Sequence, residues 1–182
     1  MQRYVLPLCL GIVCTASAHA VNSAITISVT VAVRAIDVDW LLACRTGSDT
    51  ATVLNWTLGN QAASVTIDSQ TSTNFGRVCT VESLGADVTV NLKCSNASPA
   101  TAWTLAGSAG ANQFRMQAKG GSGTGNVFSA AYADLTTSDQ LLIPVLANAA
   151  NTTFYLKFYS PSSSTDSTSK TITVTATATS PP

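Results

Sequence analysis

The chain has 182 residues, and 9 Lys+Arg with 9 Asp+Glu make only 10% of them charged, against about a quarter in an ordinary soluble domain. With 46% hydrophobic residues and 47 small hydroxyls (26 Thr and 21 Ser), it has apolar surface to bury and is not a disordered polar tail. A net charge of zero leaves no electrostatic footprint for nucleic acid or an anionic membrane.

Arg3 gives a positive start, residues 4–13 are apolar, and small residues end in Ala18-His19-Ala20. This is the pattern of a secretory signal peptide. The apolar run is shorter than the roughly 20 residues that span a bilayer, so residues 1–20 are expected to be cleaved. The product is expected outside the cell or at its surface, as one domain over residues 21–182 with no membrane span. Cleavage also removes His19, the only histidine, together with Cys9 and Cys14. Without histidine there is no Ser-His-Asp triad, Cys-His pair or His-ligated zinc. An enzyme is therefore not expected, and a histidine-independent hydrolase is the least favoured class. Cys44, Cys79 and Cys94 remain, which in an oxidising compartment predicts one disulfide and one thiol.

The mature chain reads as strands. Ile25, Ile27, Val29, Val31 and Val33 alternate with Thr26, Ser28, Thr30, Ala32 and Arg34, the period of a half-buried strand extending over 25–36. Asp37 and Asp39 follow, two apart and on one face of an extended chain. With Asp49 they are the carboxylates a calcium site would start from, but no D-x-D-x-D-G loop is present. A polar strand end before Trp40 is the competing reading, and no metal or other cofactor is expected.

Further strands are predicted at 50–58, 63–67, 78–83 and 88–94, the last two as a hairpin around Leu84-Gly85-Ala86-Asp87. That hairpin puts Cys79 and Cys94 on opposite arms, which makes them the preferred disulfide, although Cys44 can pair with either. Strands follow at 102–105, 113–118 and 127–132. The run 120–125 (Gly-Gly-Ser-Gly-Thr-Gly) is a turn between strands rather than a phosphate loop, because no helix or Lys-Ser/Thr pair follows it. Residues 138–150 are the one stretch with helical potential, and Pro144 in its middle argues against a helix. Strands at 153–159 and 171–179 close the chain. Trp40, Trp56 and Trp103 lie in apolar alternating contexts and are expected in the core. Nine or ten short strands separated by turns predict an all-β fold, an immunoglobulin-like antiparallel β-sandwich.

Two features point to partners. In 154–159, alternation puts Phe154, Leu156 and Phe158 on the core face and Tyr155, Lys157 and Tyr159 on the other. The second set forms an aromatic and cationic stripe suited to a glycan or a surface protein, unless a loop covers it. The first mature strand carries no charge before Arg34, whereas exposed edges usually carry Lys, Pro or bulges. It is either buried inside a sheet or built to pair with another chain, through Ile25, Ile27, Val29, Val31 and Val33. With this opening strand and the closing 170–177 strand (Lys-Thr-Ile-Thr-Val-Thr-Ala-Thr), the chain resembles exported bacterial fibre and pilus-type subunits with an immunoglobulin-like sandwich. The resemblance covers architecture only, and the three-cysteine pattern departs from the disulfide and chaperone signatures of such subunits. It implies a structural role with self-association into a filament or surface layer. A secreted glycan- or protein-binding module is the alternative.

Overall fold

A computed structural model describes residues 23–33, 39–44, 53–74, 78–84, 86–99, 103–121 and 131–182. Strands are numbered in chain order. One sheet has five strands in the order β10 (Gln140–Leu146), β6 (Val88–Cys94), β12 (Lys170–Thr179), β1 (Ser23–Val33), β3 (Val53–Gln61). The other has β2 (Asp39–Cys44), β5 (Cys79–Leu84), β11 (Asn151–Tyr159), β8 (Gln113–Gly120) and β7 (Thr104–Leu105), with β4 (Thr66–Asp68) on β11 and β9 (Ala133–Asp134) on β8. No helix occurs among the described residues. The described part of the chain is all-β, as its periodicity predicts.

Alternation builds both sheets. In β6 every second residue from Val88 to Cys94 is buried, and β12 buries Lys170, Ile172, Val174, Ala176 and Ala178. Phe154, Leu156 and Phe158 of β11 and Phe114, Met116 and Ala118 of β8 supply the second sheet's share. These residues form one apolar cluster with Ile27, Trp56 and Leu58, so the two sheets share a single core. Trp103 is fully buried, with its indole N–H donating to Ser164 Oγ at 2.8 Å. Trp56 and Trp103 thus take the expected core role, and the Trp40 side chain lies outside the described residues.

The opening strand lies inside its sheet. β1 runs parallel to β12, with Ile25 opposite Lys170 and Val33 opposite Ala178. On its other side it is antiparallel to β3 from Ser23 to Thr30, with an irregularity between Ile25 and Thr26. Its backbone ladder is therefore used on both sides by its own chain.

Two expectations are corrected. The 84–87 hairpin does not form, because β5 belongs to the seven-stranded sheet and β6 to the five-stranded one. The chain crosses between sheets there. Cys79 and Cys94 are consequently buried on different sheets and are not joined, since the cross-strand geometry that favoured the pair is absent. The stretch with helical potential, where Pro144 argues against a helix, is strand β10. Pro144 is accommodated because β10 is an edge strand paired, among the described residues, to β6 alone, with register irregularities between Leu141 and Ile143 and between Ile143 and Leu146. An edge strand tolerates the missing N–H. The segment read as a signal peptide and most of the strand predicted at 127–132 lie outside the described residues.

Candidate functional site

The outward face of β11 meets the outward face of β8 in register: Tyr155 opposite Lys119, Lys157 opposite Gln117, and Tyr159 opposite Arg115. β4 adds Asp68 opposite Lys157, and β9 adds Asp134 opposite Gln117. Asp134, Gln117, Lys157 and Asp68 thus form one row across four strands. Tyr132, just before β9, lies over this row.

Each cation is held between a ring and an acceptor. Lys157 Nζ is 5.0 Å from the Tyr132 ring centroid, 5.8 Å from that of Tyr159 and 3.7 Å from Asp68 Oδ2. Lys119 Nζ is 5.6 Å from the Tyr132 centroid and donates to Gln70 Oε1 at 2.9 Å. Arg115 forks onto Asp134, Nε to Oδ1 at 2.5 Å and Nη2 to Oδ2 at 3.1 Å, with its Cζ 5.2 Å from the Tyr159 centroid. Such cation–ring contacts contribute roughly 0.5–1 kcal/mol each at exposed sites, and here they fix the rings and the charges together.

Neutral donors complete the network. Gln117 Nε2 donates to Asp134 Oδ1 at 2.9 Å, and the Tyr159 hydroxyl donates to Gln117 Oε1 at 2.9 Å. The Tyr132 hydroxyl donates to Asp68 Oδ1 at 2.5 Å, and Gln70 N donates to the same oxygen at 2.8 Å. Hydrogen bonding from the Arg115 guanidinium holds the Asp134 carboxyl below the usual carboxylate range, against an opposing desolvation penalty. Asp134 in turn pushes Arg115 up. Burial, with Asp68 accepting its hydrogen bond, pushes the Tyr132 phenol up, so it stays a neutral donor through ordinary pH.

A groove of about 520 Å³ opens beside this face, its lining including Gln61, Thr66, Asp68, Thr73, Asn74 and Lys157. Asp68 and Lys157 therefore belong both to the groove and to the tyrosine face. At the other end of the face, Gly121 N donates to Thr153 O at 2.7 Å. A Cβ on Gly121 would stand 2.1 Å from Thr153 Oγ1 and 3.0 Å from Tyr155 Cε2. Gly121, directly after β8, is a close-approach residue against Thr153 and Tyr155.

The structure brings Tyr155, Lys157 and Tyr159 together on one half-buried face, as alternation predicts. Sequence reading missed their partners. Arg115, Gln117 and Lys119 alternate along β8, a signal that marks an outward face but does not say which strand lies beside it. Of the calcium candidates, Asp37 lies outside the described residues and Asp39 is at the start of β2, opposite Leu84. Among the described residues no three His, Cys, Asp or Glu are grouped to hold a metal ion. No helix among them is long and apolar enough to cross a membrane. Of the opening-strand residues proposed to meet a partner, Ile27 is fully buried in the chain's own core. Val29, Val31 and Val33 stand opposite Val174, Ala176 and Ala178. No protein-family model matches this chain, and no curated protein matches it.

Proposed function

We propose that this chain is an exported, immunoglobulin-like β-sandwich that binds a glycan on the outer face of β11, β8 and β4. The observation that carries the reading is the shared floor: Asp68 and Lys157 line a polar groove while Tyr132 and Tyr159 stand over the same lysine. A sugar ring has apolar C–H faces and a rim of hydroxyls. The tyrosine rings supply flat apolar area with a polar tip, and the groove supplies amide, hydroxyl and carboxylate partners at fixed positions. A face whose rings and charges already hold one another loses little freedom on binding. No catalytic role is proposed for any residue.

Glycan-array binding by the purified protein tests the reading. Wild type is expected to bind a defined set of glycans, and Tyr159→Ala to weaken binding about tenfold, the equivalent of 1.4 kcal/mol. Binding unchanged by both Tyr155→Ala and Tyr159→Ala would sink this site.

A second reading, a filament or surface-layer subunit, draws on a specific feature of β1. That strand alone joins β3 to the other three strands of its sheet. A second copy's β1 would find the same ladder on both sides if the chain's own β1 withdrew. Reciprocal exchange would close a dimer, and head-to-tail exchange would extend a filament.

A further inference from the structure

Three cysteines follow residue 20: Cys44, Cys79 and Cys94. In the antiparallel pair of β2 and β5, Cys44 is the register partner of Cys79. Directly opposed residues in such a ladder have Cα atoms about 4.5–5.5 Å apart, inside the 4.4–6.8 Å range that a disulfide spans. Cys94 closes β6 on the other sheet, where its register partner is Val174. It is fully buried, its thiol lies 3.5 Å from the Ser95 carbonyl oxygen as a donor, and burial pushes its pKa up to about 12. Such a thiol supplies almost no thiolate, the form that attacks a disulfide.

We propose that Cys44 and Cys79 form a cross-strand disulfide tying β2 to β5, and that Cys94 stays a thiol. β2 stands at the end of its sheet's ladder order, with β5 beside it among the described residues, so the bond would fasten a terminal strand to its neighbour. The oxidant is a small-molecule or protein disulfide such as oxidised glutathione. One cysteine thiolate attacks the oxidant's sulfur, forms a mixed disulfide and releases one thiol. The second thiolate then attacks the mixed disulfide and releases the other. Two protein thiols and one oxidant disulfide become one protein disulfide and two oxidant thiols. The inference stands apart from the glycan reading, because it rests on strand register.

Trypsin separates the candidates cleanly. Cleavage after Arg34, Arg45, Arg77, Lys93 and Arg115 puts Cys44 in residues 35–45, Cys79 in 78–93 and Cys94 in 94–115. Cys9 and Cys14, where the leader is retained, fall in 4–34. The full chain is equilibrated in a buffer of oxidised and reduced glutathione, alkylated and digested without reduction. Mass spectrometry is expected to find 35–45 linked to 78–93, with Cys94 alkylated only when the chain is unfolded first. Cys44→Ser is expected to abolish the link and lower the oxidised protein's Tm by about 5–15 °C, with no comparable change after reduction. Cys94→Ser is expected to keep the link. A link from 78–93 to 94–115, or full alkylation of 35–45 and 78–93 after oxidation, overturns the proposal.

Discussion

Asp134 accepts from both Arg115 and Gln117, so one carboxylate orients the residues that hold Tyr159 from below. Its pKa is depressed in the folded state, chiefly by the Arg115 hydrogen bond. The stabilisation it contributes is fully present above the ordinary carboxylate value of about 3.9 and is lost as pH falls through the depressed one. Asp166 acts in the same direction, because the Lys170 ammonium and Thr168 hold its carboxyl below the usual range. Lys170 is buried at the start of β12 and has Asp166 and Thr168 Oγ1 as its partners. Urea-unfolding midpoints are expected to be flat from pH 7 to about 5 and to fall below about 4. Asp134→Asn is expected to remove part of that fall. At neutral pH it should cost no more than about 1 kcal/mol, since the ion pair is partly exposed and screened. A profile equally steep in the variant would contradict the account of Asp134.

At the scale of the element, β1 and β10 make opposite use of the backbone. β10 sits at an edge and carries Pro144 between the exposed Leu141 and Val145. β1 has a strand on each side, so nearly every N–H along it has a ladder to join. Thr30 stands opposite Thr175 on one side and Val53 on the other. Thr30→Pro is expected to destabilise the protein by more than about 2 kcal/mol, through the lost N–H and the partner left unsatisfied. A change under about 0.5 kcal/mol in denaturant unfolding would mean that β1 is not held as described.

The same pair of strands explains what was legible in advance. β1, β6, β11 and β12 alternate strictly and are flanked by turn residues, so their existence and buried faces follow from period 2 alone. β10 alternates poorly, with Leu142 and Ile143 both buried in succession, and its proline makes sense only once the strand is known to lie at an edge. β2 has no counterpart among the predicted strands, because Leu-Leu-Ala-Cys after Trp40 lacks a period-2 pattern, and only Asp39 at its start is marked, as part of a polar strand end. Leu84-Gly85-Ala86-Asp87 has the chemistry of a turn, but turn chemistry does not say whether a chain doubles back within a sheet or crosses to the opposite one. That distinction moved Cys94 away from Cys79. On the tyrosine face, Tyr155, Lys157 and Tyr159 were legible from one strand. Arg115, Gln117, Lys119, Asp68 and Asp134 needed the strand order, which no local pattern encodes.

For the whole molecule, low charge and abundant hydroxyls take on a spatial meaning. On the outer side of the five-stranded sheet, Thr171, Thr173, Thr175, Thr177 and Thr179 alternate with the buried residues of β12. Thr175 stands opposite Lys93, Thr177 opposite Asn91 and Thr179 opposite Thr89. This side is a β-favouring hydroxyl surface. The other sheet concentrates Arg115, Lys119 and Lys157 with Asp68 and Asp134 on one face, where each cation has a ring and an acceptor. The two sheets thus differ chemically, and the one with built-in aromatic and ionic order carries the face proposed to bind a glycan. The most direct test is an NMR titration of the ¹⁵N-labelled protein with a glycan that it binds on the array. The account predicts amide shift changes clustered at 66–74, 115–119, 132–134 and 155–159, with the β12 amides unmoved. Changes centred on β12, β6 or β1, with 155–159 silent, would contradict it.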